Sequence, residues 1–198
     1  MTGRCLGLPQ LICFASQYLI SFLSQNSDDM VRDGPVSVSR WLPPPLDYIK
    51  VNFDDTSFRS GQELGIGVVV CGASGECLDW LSKRIDRMGS GELAETLAAC
   101  EAVLLALRKN WQLVIFEGDC ATLIHKILSL SANYSVVGPI TLDIWSLFTR
   151  FRECSFQFVK RSRNAVAHAL AKSTCGSLEG ESVVPPTVSS LVIADIAQ

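Results

Sequence analysis

Hydrophobic and polar positions follow one period in the first half of the chain and another in the second. Ile49–Phe53 alternates apolar residues with Lys50 and Asn52, which predicts a strand that ends in Asp54-Asp55. Gly65–Cys71 is a β-branched run between glycines. Gly72–Gly75 reads as a tight turn, and Glu76–Ile85 returns as a third strand. Together these segments predict a three-strand antiparallel meander.

Beyond residue 90 the spacing becomes helical. From about Glu92 to Lys109, one apolar stripe runs through Leu93, Leu97, Cys100, Leu104 and Leu107. A second stripe of small residues, Ala99, Ala102 and Ala106, follows Glu95 and would let a sheet approach closely. Leu113–Phe116 is a short buried strand leading into Glu117-Gly118-Asp119. Ala121–Leu130 and Pro139–Phe151 are helices, the second with Ile140, Ile144, Leu147, Phe148 and Phe151 on its apolar face. Phe156–Val159 is a fifth strand, and Asn164–Thr174 is a closing helix with Asn164 as its N-cap. The order β-β-β-α-β-α-α-β-α predicts an α/β fold. Its sheet is five-stranded and mixed, three antiparallel strands then two parallel, with helices on both faces.

The flanks differ from this unit. The expected organisation is an N-terminal apolar segment and linker over residues 1–40 without ordered structure, one domain over 41–175, and a C-terminal tail over 176–198. Residues 5–27 carry no charge, as a signal peptide or membrane segment would, yet Gln10, Ser16, Gln17, Ser21 and Ser24 interrupt the run. A short amphipathic helix, or an upstream fragment that packs poorly alone, is the preferred reading over secretion or membrane insertion. No tandem zinc spacing connects the eight cysteines, which are expected to be reduced, as in the nucleus or cytoplasm. The whole chain has a net charge of −3, while residues 41–175 balance 14 basic against 14 acidic residues. Any polyanion must therefore be met by a local basic patch rather than a global field.

Acidic residues stand at chosen ends of the predicted elements: Asp54 after the first strand, Glu95 early in the long helix, and Asp119 after the fourth strand. Ligand sites in open α/β sheets collect beyond strand carboxyl ends. Two carboxylates at roughly 4–5 Å repel by roughly 3–4 kcal/mol at an effective dielectric near 20. Divalent cations would neutralise such a group, and hard oxygen donors suit Mg²⁺ or Mn²⁺. Isolated acids at strand ends are also ordinary solubilising residues.

Ordered motifs strengthen the first reading. Trp41-Leu-Pro-Pro-Pro followed by Lys50-Val-Asn52-Phe-Asp54 resembles the entry of the plant, retroelement-derived ribonuclease H type 1 domain. Gly65-Ile-Gly67-Val-Val-Val, Ala94-Glu95-Thr-Leu-Ala98 and Phe116-Glu117-Gly-Asp119 are similar to its later blocks, in the same order. Arg161-Ser-Arg163-Asn164-Ala-Val-Ala167-His168-Ala-Leu170-Ala171-Lys172 is similar to its last block. The resemblance implies a ribonuclease H-like fold and a two-metal hydrolysis of the RNA strand of RNA–DNA hybrids. Asp54, Glu95 and Asp119 would be both catalytic and metal-binding, with Mg²⁺ or Mn²⁺ as cofactor. His168 takes the place of the family's fourth carboxylate and is assigned a catalytic role. Asp55 replaces a glycine that usually follows the first acid.

Lys160, Arg161 and Arg163 form the sharpest basic cluster, and with Asn52, Asp55 and Asn164 they are the expected nucleic-acid-binding residues. The implied partner is an RNA–DNA hybrid, with no small-molecule cofactor, no membrane and a monomeric chain. The alternative function is a catalytically weakened or inactive nucleic-acid-binding module. Walker, dinucleotide-binding and Ser/His/Asp signatures are absent from the sequence, and Gly65 and Gly67 cradle no evident ligand.

Overall fold

The structure, a computed structural model, describes residues 41–58, 62–86, 90–129, 136–174 and 177–181. The expected N-terminal segment 1–40 and the tail beyond residue 181 lie outside the described residues. Within them the strands are β1 (Ile49–Phe58), β2 (Glu63–Cys71), β3 (Cys77–Ile85), β4 (Leu113–Gly118), β5 (Glu153–Phe158) and β6 (Ser177–Glu181). The helices are α1 (Gly91–Arg108), α2 (Ala121–Ser129), α3 (Gly138–Phe148) and α4 (Ala165–Lys172).

The sheet order is β5-β4-β1-β2-β3-β6. β1, β2 and β3 pair antiparallel, while β4 joins β1 and β5 joins β4 in parallel. The five expected strands and their mixed topology form as read from the sequence. A sixth strand, β6, extends the sheet antiparallel to β3, in the stretch assigned to the tail. Its sequence Ser-Leu-Glu-Gly-Glu has no period-two apolar pattern, so its strand character comes from pairing with β3.

Side-chain alternation divides the sheet into two faces. Val51, Phe53, Ile66, Val68, Val70, Leu81 and Phe116 point into the main core with α1, α2 and α3. Val69, Cys71 and Trp80 point the other way, onto Val166, Ala167 and Leu170 of α4. On α1 the buried residues are Ala94, Ala98, Ala99, Ala102, Val103, Leu105 and Ala106, with Leu93 and Thr96. The small residues therefore make the sheet contact, as their size allows. Leu104, expected in a buried stripe, is 36% exposed.

α4 lies unusually close to β2. A Cβ at Gly65 would stand 2.2 Å from Ala171 O, and one at Gly67 would stand 2.1 Å from Ala167 O and 2.4 Å from Ala171 N. These glycines are thus the seat of a helix, a use the sequence reading did not give them. Below the carboxyl end of the sheet, Phe156 stacks on Phe116 at 4.8 Å and on Phe148 at 5.3 Å between ring centroids. This aromatic layer gives the strand ends a rigid floor.

The described cysteines Cys71, Cys77, Cys100, Cys120 and Cys154 are free thiols. Burial pushes Cys71 up to about 12 and Cys77 up to about 11. Both behave as small hydrophobes rather than nucleophiles. No helix among the described residues is long and apolar enough to cross a membrane.

Candidate metal centre

Three elements deliver three carboxylates to one place. β1 runs on to Phe58, so Asp54 and Asp55 lie inside the strand rather than at its end. Parallel pairing with β4 stops at Asn52↔Glu117, however, so Asp54 sits two residues past the last parallel rung. Glu95 lies one turn into α1, whose N-terminus is capped by Ser90 through its hydroxyl and Leu93 N. Asp119 directly follows β4. One donor atom each from Asp54, Glu95 and Asp119 lies within 4.8 Å of the others.

The group is short of positive partners. Asp54 is 2% exposed and its Oδ1 accepts only from Asp55 N, at 2.8 Å. Asp54 Oδ2 and Glu95 Oε2 are buried with no hydrogen-bond donor. Burial first, then the charge of Asp119, raises Asp54 to about 7. Burial, then Asp55, Asp54 and Asp119, raises Glu95 to about 9. Burial also raises Asp55, to about 6, although a hydrogen bond with Glu95 works against it. Protons thus hold the group together where a cation would serve better. Clustered hard oxygen donors with unsatisfied lone pairs fit a divalent ion of the Mg²⁺ or Mn²⁺ kind.

This crowding has a stability signature. All three folded-state values stand above the ordinary carboxylate values of 3.8 and 4.5. The folded chain therefore binds more protons than the unfolded one, and this contribution to stability falls as pH rises from those values through the folded ones. Without divalent cations, Glu95→Gln is expected to be more stable than wild type at pH 8, with the gap closing towards pH 5. Urea melts in chelator would check this; a gap that widens towards acid pH would refute it.

His168 lies one turn into α4. Its Nδ1 is 2.8 Å from Asp54 Oδ2, out of line for a hydrogen bond. Burial, then Arg161 and Lys172, hold the imidazole below its ordinary value. Arg161 Nη2 stands 3.1 Å from both ring nitrogens, which seats the guanidinium against the ring rather than along one lone pair. Arg161 and Arg163 occupy a single 3₁₀ turn after β5, with Lys160 just before it. Lys160 and Arg161 are exposed, and Arg163 is half-buried with an unpartnered Nε.

Asn52 and Asn164, expected to contact nucleic acid, are 2% and 1% exposed and committed to the protein interior. Asn52 Nδ2 donates to Glu117 Oε2 at 3.0 Å and to Asn164 Oδ1 at 3.2 Å. Asn164 Nδ2 donates to Phe53 O at 2.9 Å. The Asn164 side chain therefore does not cap α4; it ties the helix start to β1. Lys50 Nζ pairs with Glu117 Oε1 at 2.8 Å and donates to Leu42 O at 2.6 Å. Trp41 Nε1 donates to Asn52 Oδ1 at 3.1 Å. The sequence reading missed Lys50, Glu117 and Trp41 as members of this network. Their signal was available: Lys50 and Glu117 are charges inside strands whose neighbours are all apolar, and such charges are buried only in pairs.

Residues 52–174 match the family model described as reverse transcriptase-like. No curated protein matches the chain. Among solved structures, the ribonuclease H1 of the halophilic archaeon Halobacterium salinarum NRC-1 is 21% identical, with a TM-score of 0.59. The match covers 63% of this chain and 95% of that one. The N-terminal ribonuclease H domain of a Mycobacterium tuberculosis protein is 19% identical over 63% of this chain and 91% of its own, with a TM-score of 0.58. LC11-RNase H1, solved in complex with an RNA/DNA hybrid, is 19% identical over 62% and 92%, with a TM-score of 0.55. At these identities the likeness is one of fold: a ribonuclease H-like mixed sheet flanked by helices.

Proposed function

Because the chain belongs to the reverse transcriptase-like family, we propose that it is a nucleic-acid-binding module of ribonuclease H type, directed at RNA–DNA hybrids, whose strand cleavage is weak or lost. The carrying observation is the asymmetry of the centre. Asp54, Glu95 and Asp119 form a compact group, whereas His168, which the motif order sets at the family's fourth position, brings an imidazole backed by Arg161.

Asp54, Glu95 and Asp119 would hold a divalent cation, which when bound would polarise a phosphodiester and make a water more acidic. A neutral His168 removes one negative charge from the set, which lowers affinity for Mg²⁺ more than for Mn²⁺. Lys160, Arg161 and Arg163 line one turn beside the centre and would meet backbone phosphates. Asp55 acts against them by placing a further acid beside Glu95. Asn52 and Asn164 position β1 and α4 from within. The free thiols suit a nuclear or cytoplasmic compartment. The plant retroelement kinship rests on the ordered motifs alone.

An active hybrid endoribonuclease is the second reading, favoured by the intact three-carboxylate group. One experiment separates the two. The full chain is titrated with a fluorescent RNA–DNA hybrid over a range of salt, then incubated with Mn²⁺ or Mg²⁺ beside Asp119→Asn. Binding is expected to weaken with salt at a log–log slope of roughly −2 to −3, for three cationic side chains. Cleavage is expected to stay near the Asp119→Asn background. No hybrid binding at low salt would sink the proposal, and vigorous metal-dependent turnover would replace it with the second reading.

A further inference from the structure

The centre has two unlike sides, and alternation along β1 creates them. Phe53 points into the α1 core and Asp55 shares its parity, while Asp54 faces α4. Asp55 and Glu95 stand on the α1 side, and one donor atom each of Asp54, Glu95 and Asp119 lies within 4.8 Å of the others. Acidic groups thus crowd that side of Asp54. On the α4 side, Asp54 Oδ2 meets only His168 Nδ1, at 2.8 Å, with the Arg161 guanidinium 3.1 Å from both ring nitrogens.

We propose that this centre takes one divalent cation rather than a pair, and that the Arg161 guanidinium, seated on the His168 ring, supplies the positive charge a second ion would bring beside Asp54. The inference rests on reading the carboxylate group as a cation centre. A guanidinium cannot shed its proton in a protein, so its charge is permanent. A second dication on the α4 side would face that charge with an imidazole, which carries no negative charge, where a carboxylate would be needed. Arg161 is also held by its backbone: Arg163 N donates to Lys160 O at 2.8 Å, and Asn164 N donates to Arg161 O at 3.0 Å. Asn164 is in turn anchored to Phe53 O. A phosphate arriving here would meet one ion on one side and one guanidinium on the other.

The test is the stoichiometry of Mn²⁺ alone on the full chain, read by calorimetry and by the electron paramagnetic resonance of free Mn²⁺. Wild type is expected to bind one ion. The double variant His168→Asp/Arg161→Gln is expected to bind two, and Arg161→Lys, which keeps the charge, to stay at one. Two ions of similar affinity on wild type would overturn the inference, and so would a folded double variant that still binds one. Should the double variant fail to fold, Arg161→Gln alone, altered at an exposed side chain, is expected to add a second, weaker binding event; its absence would also overturn the inference. Asp119→Asn reports on the centre itself. If wild type binds Mn²⁺ and this variant weakens it by about tenfold or more, the carboxylate centre stands whatever the ion count. If wild type binds none, the cation centre and this inference fall together.

Discussion

Replacing Gly67 by alanine should cost the domain on the order of 3 kcal/mol or more, a large share of the stability of an ordinary domain. The added methyl would lie 2.1 Å from Ala167 O, 2.4 Å from Ala171 N and 2.9 Å from Leu170 Cβ. Two of these three neighbours are helix backbone, which cannot turn aside as a flexible side chain can. Either α4 lifts away from β2 or the sheet bends, and both open the second core of Val69, Trp80, Val166, Ala167 and Leu170. Because α4 carries His168 and is pinned at its start by Asn164, the lift would also pull His168 away from Asp54. Urea denaturation of the full chain measures the loss, and the melting temperature should fall by roughly 6–12 °C for a chain of this size. A change below about 1 kcal/mol would mean that α4 does not rest on β2 as described.

The second large effect is expected at Glu117. It is 4% exposed and its partner Lys50 is 7% exposed, so the pair lies almost entirely out of water. Glu117→Ala leaves the Lys50 ammonium with only Leu42 O and the Trp41 ring, 5.2 Å from its centroid, and removes one acceptor from Asn52. Stranding a buried charge in this way costs about 3–5 kcal/mol. Removing both charges together with Lys50→Met/Glu117→Leu should recover much of that loss, because apolar groups of similar volume need no partner. A double-mutant cycle by chemical denaturation decides the matter. A double variant no better than Glu117→Ala would show that the pair contributes more than its own neutralisation.

The sheet was legible where a residue's face is decided by its own polarity. Val51 and Phe53 against Lys50 and Asn52, or the apolar run of β2, fix strand and face together. α1 was read only in part. Its alanine stripe was read as the sheet-facing side and Ala99, Ala102 and Ala106 are buried, whereas the leucine stripe is covered unevenly and leaves Leu104 exposed. β6 was invisible, since Ser177–Glu181 has neither bulk nor period and exists through the edge of β3. The three acids of the centre were legible from position and motif order together. The asparagines were legible as important but not for their use: exposure cannot be read from an amide, which serves equally well on a surface or in a closed network. Lys50 and Glu117 belong to strands that pair only through the parallel register, so their partnership depends on a contact 67 positions apart in the chain.

That parallel register also has a consequence in time. β1 can find β2 and β3 as neighbours in the chain, but its other edge stays bare until β4 exists, and its α4 face stays bare until residues 165–172 have emerged. Asn52 meets Glu117 across 65 positions and Asn164 across 112. Closing loops of such length slows assembly. During synthesis the two halves of the centre therefore mature in succession. The acids can gather once Asp119 has left the ribosome, whereas the histidine and its arginine arrive later, with the helix that carries the ring to Asp54.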